Sequence, residues 1–171
     1  MSTSTLAVDL AGNFEPGTAV LAGLVGAMAM LVVIYGGKAM GMTRMDLLNT
    51  LGTMAVPKAA SNVVYAVGAM MHLMMGAAFG LIHAGLLHAI DVTSEGAAVG
   101  FGALFGGIHG TIVAFMMPVM LTVMHPLVRS GDTPAPGVAM TGLGSKTPIG
   151  IVMAHIAFAI VAGSIYVAVA G

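Results

Sequence analysis

Six histidines and seventeen methionines carry most of the chemistry this chain can offer, and it has no cysteine. Imidazole and thioether are neutral, soft donors suited to Cu(I). Without cysteine there can be neither thiolate metal ligands nor a cysteine nucleophile, and no disulfide. Three of the histidines, His72, His83 and His88, fall within residues 61–90, a stretch without Asp, Glu, Lys or Arg. At 1.5 Å per residue that stretch makes about 45 Å of helix, enough to cross a bilayer. Histidine is costly in hydrocarbon, so three in one span require partners. His72 and His83 are eleven residues apart, close to three whole turns, and share a helical face with Gly76 and Phe79; His88 points away.

The rest of the composition calls for the same lipid setting. Hydrophobic residues make up 58 % of the chain and charged ones 6 %, against about 25 % charged in ordinary soluble domains. Five basic residues and a net charge of −1 give no footprint for nucleic acid. The pattern predicts an all-α polytopic membrane protein, residues 1–171 forming one membrane-embedded domain. Its bundle of four transmembrane helices covers about 17–37, 61–90, 96–128 and 148–170. The polar stretch 1–16 lacks the basic start of a signal peptide and reads as a mature tail. After the first span, Met42, Met45, Leu48 and Leu51 recur at helical spacing. They predict a short interfacial helix ending before Pro57, with an ordered loop as the alternative. Pro118 should kink the third span.

With four alternating spans, Lys38, Arg44, Lys58, Arg129 and Lys146 fall on one side. Asp9, Glu15, Asp91 and Glu95 fall on the other. Cytoplasmic loops collect Lys and Arg, so a bacterial inner membrane location with both termini outside is expected. Counting from the basic end at 1.5 Å per residue puts His72 about 18 Å deep and His155 about 12 Å deep. His83 and His109 then lie about 34 and 27 Å deep, and His125 lies near the inner interface beside Pro126. Two histidine levels follow: His72 with His155, and His83 with His109.

Met71, Met75, Met116 and Met120 form i,i+4 pairs near the inner level. Together with His72 and His155 they are the candidate copper ligands. Three readings stay open for the histidines: hydrogen bonding inside the bundle, a Met/His copper site, or bis-histidine ligation of haem b. Methionine also serves simply as a filler of irregular gaps. Gly76 and Gly80 on the second span, and Gly102, Gly106 and Gly110 on the third, repeat every four residues. Such stripes bring helices into close contact, and Gly23 and Gly26 extend the expectation to the first span. Enzyme chemistry has little to work with, since no span contains an acid and no nucleophile or phosphate-loop motif occurs. Asp46 is expected to pair locally with Arg44.

Several spaced motifs together resemble a known family. They are Met42-Thr43-Arg44-Met45-Asp46, Leu51-Gly52-Thr53-Met54, Met71-His72, Met116-Met117-Pro118 and His155. The pattern is similar to that of an uncharacterised family of small four-helix bacterial integral membrane proteins, a domain of unknown function, and covers most of 28–163. The resemblance implies that Met42, Met45, Asp46, His72, Met116, Met117, Pro118 and His155 are family positions, while His83, His88, His109 and His125 lie outside the pattern. It implies the fold and leaves activity open. The function expected is a non-catalytic accessory or structural subunit of a larger membrane complex, through other subunits or self-association, that binds or handles copper. A haem-bearing electron-transfer subunit or a small transporter is the alternative.

Overall fold

The computed structural model describes residues 14–170, and the expectations for the polar tail and Asp9 lie outside them. The chain runs through α1 (Pro16–Ala39), α2 (Leu47–Ala55), α3 (Ser61–Ala89), α4 (Glu95–Met124), α5 (Pro126–Arg129), a 3-10 segment (Val138–Leu143) and α6 (Thr147–Ala170). The described residues contain no strand. Four helices, α1, α3, α4 and α6, are long and apolar enough to cross a membrane.

Local chemistry sets their ends. Pro16 opens α1, where a missing N–H costs nothing. Ser94 caps α4 by accepting the Ala97 N–H, and Asp46 caps α2 by accepting that of Asn49. The expected end of the third span at residue 128 is corrected. Pro126 bars its predecessor from helical geometry, so α4 stops at Met124, His125 is extended, and α5 begins anew. The helix runs through Pro118. The register expected for the short helix also changes. Met42 and Met45 precede α2 rather than lying on it, because the Asp46 cap fixes the start at Leu47, and the buried residues are Leu47, Leu51 and Gly52. A 3-10 turn forms in the loop after α5. Its Ala139 and Met140 sit at positive φ, which drives the Met140 side chain into the core beside Ile34, Leu121 and Ile151.

The last helix is the centre of the bundle. Half of its apolar window is buried in protein, against about a third or less for α1, α3 and α4. It packs on α1 and on α4, while α3 packs mainly on α1 and α2, leaving α3 and α4 in slight contact. Glycine decides which faces meet. A Cβ at Gly106 would lie 2.6 Å from the His155 carbonyl oxygen, and one at Gly102 2.9 Å from that of Ala159. Gly110 faces Val152 and His155 in the same way, so the stripe is the α4–α6 seam. Gly76 and Gly80 meet Gly23 and Ala27 across the α1–α3 seam, and Gly26 meets Phe158. At the other crossing Gly52 abuts the Val64 backbone and Gly68 that of Leu48. Such approaches exclude any side chain larger than hydrogen and maximise dispersion contact.

Candidate functional site

Two polar centres lie inside this frame. The first comprises histidines on α3, α4 and α6. His83 and His109 meet across the thin α3–α4 seam, with Nε2 3.3 Å from Nδ1. Phe79 lies against the His109 ring at 4.2 Å between centroids, and Phe158 meets His83 edge-on at 5.5 Å. His155 also reaches this pair, its ring 4.6 Å from His109 in a T-shaped contact. Gly106 and Gly110 allow that approach, because they bring the α4 backbone onto α6 at His155.

Acceptors fix two tautomers. His155 donates Nδ1–H to the Ile151 carbonyl at 2.8 Å, and His72 donates Nε2–H to the Ala27 carbonyl at 3.0 Å. Carbonyls only accept, so the remaining nitrogen of each ring keeps its lone pair. The backbone bond holds each ring as second-shell partners hold metal-binding imidazoles. His83 and His109 meet as expected. His155 places its ring beside His109, and His72 is hydrogen-bonded to α1.

The thioethers do not gather around this centre. Met116 is 65 % exposed and Met75 38 % exposed on the outside of the bundle. Met71 and Met120 pack against the apolar cluster around Ile34, Leu47 and Ile151. Among the described residues, no three His, Asp or Glu side chains stand in metal-binding geometry.

The second centre is Asp46, at the end of the bundle that carries the basic residues. Its carboxylate accepts hydrogen bonds from the Tyr35 hydroxyl at 2.8 Å, the Tyr65 hydroxyl at 2.8 Å and the Lys38 ammonium. With the Asn49 N–H, it ties α1, α2 and α3 together. The expected partner, Arg44, is instead engaged with the Gly142 carbonyl at 2.7 Å. Burial pushes the Asp46 carboxyl up, but the bonds from Lys38, Tyr35 and Tyr65 outweigh it and hold the group below its usual value. Only their scarcity and their position near the basic residues marked the tyrosines in the sequence.

His125 closes the same end. Its Nε2 lies 3.1 Å from the Thr53 hydroxyl and 3.2 Å from the Thr50 carbonyl. Thr53 donates its own proton to the Asn49 carbonyl at 2.6 Å. Both neighbours therefore accept, Nε2 carries the proton, and Nδ1 is a buried lone pair with no partner. His88 lies at the opposite end against Phe14. No family model, curated protein or solved structure matches this chain.

Proposed function

We propose that the chain is a non-catalytic integral membrane protein that serves as an accessory or structural subunit of a larger membrane complex. In this reading the basic end faces the cytoplasm, both termini are outside, and α2 lies along the inner interface. The observation that carries it is the contrast between the two sides of α4. One side is sealed to α6 by glycine. The other presents Leu104, Ile108, Ile112, Phe115, Val119 and Val123 in an unbroken helical stripe, each at least half exposed. Haem b is disfavoured by spacing, since two axial nitrogens on one iron stand about 4 Å apart with the porphyrin between them. A photo-crosslinker at Ile112 in native membranes tests the assembly. A discrete protein adduct is expected, and adducts to lipid alone would remove the reading.

A soft-metal role stands as the second reading, resting on His83 and His109. Tetrahedral nitrogen ligands about 2.0–2.1 Å from a metal are separated by roughly 3.3–3.4 Å, which matches their 3.3 Å spacing. Neutral donors in an uncharged span suit Cu(I). Elemental analysis of protein purified without chelators should find copper that is lost in His109→Phe and kept in His72→Phe and His88→Ala. Equal copper in all four proteins would end this reading.

A further inference from the structure

A cavity of about 130 Å³ opens between α1 and α6 at the end that holds the basic residues. Its walls are apolar: Val33, Ile34, Met40 and Met153 contribute, and Lys146 stands at its edge. It is an open groove, since Met40, Ile149 and Met153 on its lining are each more than half exposed, and the glycines on the two walls sharpen the question. Gly150 lines the cavity from α6, and a Cβ there would meet nothing within 4 Å. Gly37 lines it from α1, and its Cβ would meet only the Thr43 methyl at 4.0 Å. These two meet no backbone, as Gly36, Gly85 and Gly100 also do not, but they are the two that line the cavity. Glycine within a helix is destabilising relative to alanine, so two that face one cavity keep room for something outside the chain.

Charge identifies the occupant. Lys146 is exposed and has no ion-pair partner among the described residues, whereas Lys38 is held by Asp46 and Arg44 by the Gly142 carbonyl. The hydroxyls of Thr43 and Thr147 bond each other at 2.8 Å, so they make no demand on the cavity. An apolar slot with a free ammonium at its mouth matches an acyl chain that ends in an anionic headgroup, as basic pockets between membrane helices do. We propose that this slot binds one anionic phospholipid, its chain between Gly37 and Gly150 and its phosphate on Lys146. The inference rests on the chain being membrane-embedded, and not on the accessory role or on metal.

Native mass spectrometry of the full chain in detergent, titrated with phosphatidylglycerol or phosphatidylcholine, tests it. The wild type should retain one phosphatidylglycerol at least about fivefold more readily than phosphatidylcholine. Lys146→Gln should abolish the preference, and Gly150→Leu, whose Cβ meets nothing within 4 Å, should lose the bound lipid. Gly100→Leu, whose Cβ also meets nothing and which does not line the cavity, should bind as the wild type does. Helical content by circular dichroism establishes that each variant is folded. Equal retention of the two lipids by the wild type, unchanged retention by Gly150→Leu, or a dimer that this variant abolishes would each overturn the assignment. A carbonate wash separates the two claims, because release of the protein from membranes would defeat the membrane reading itself.

Discussion

The two seams of α4 are built on opposite principles. Toward α6, Gly102, Gly106 and Gly110 put backbone against backbone, with no polar group spent on the contact. Toward α3 the helices barely touch, and the join consists of the His83–His109 contact and the Phe79 ring beside it. A seam made by glycine is steep in energy, since any added atom must push a helix away. A seam made by imidazoles is shallow, because a membrane hydrogen bond contributes on average about 0.6 kcal/mol. The α4–α6 contact is therefore the firm one and the α3–α4 contact the weak one, with α3 itself held on α1 by the seam of Gly23, Gly76 and Gly80.

The largest effect should come from breaking the steep seam. In Gly106→Leu the new Cβ would lie 2.6 Å from the His155 carbonyl oxygen and 2.7 Å from the Ile156 Cα. A loss of at least about 3 kcal/mol is expected, read as a lowered Tm or a failure to fold in detergent. Unchanged stability would remove the close-packing claim.

Asp46 comes next, because it joins α3 to α1 at the basic end, away from either seam of α4. Asp46→Asn leaves the two tyrosines and Lys38 without their charged acceptor and should cost about 1–3 kcal/mol. The folded carboxyl is held below its usual value. Its stabilisation is thus complete above the ordinary carboxylate pKa of about 4 and is lost as the pH falls through the lower folded value. Denaturation at pH 7 and at pH 3 should show the wild type losing stability and the Asn variant losing less. Parallel curves would remove Asp46 as the cause.

The shallow seam should respond weakly. His109→Phe keeps the ring contact with Phe79 and removes the nitrogen, so about 0.5–1.5 kcal/mol is expected, read by the same unfolding assay. A loss as large as that of Gly106→Leu would make the two seams equivalent and dissolve the comparison. Smallest of all is Ala168→Leu on the exposed side of α6, expected within about 0.5 kcal/mol of the wild type.

The sequence by itself determined that there are four long apolar helices, close to where each starts, and that the five basic residues share one end. Those properties depend on composition and on neighbours a few residues away. It also marked Gly76, Gly80, Gly102, Gly106 and Gly110 as contact surfaces, since spacing by four selects one face. Gly52 and Gly68 have no such repeat, and only the crossing of α2 over α3 gave them a role. Tertiary structure alone decided which faces meet. It set the His155 ring beside His109, bound His72 to the Ala27 carbonyl, gave Asp46 to Lys38 rather than Arg44, and turned Met116 outward. The reason is rotational: a uniformly apolar helix carries almost no directional signal around its axis. Its orientation is set by where glycine lets a neighbouring backbone approach, and that depends on both helices at once.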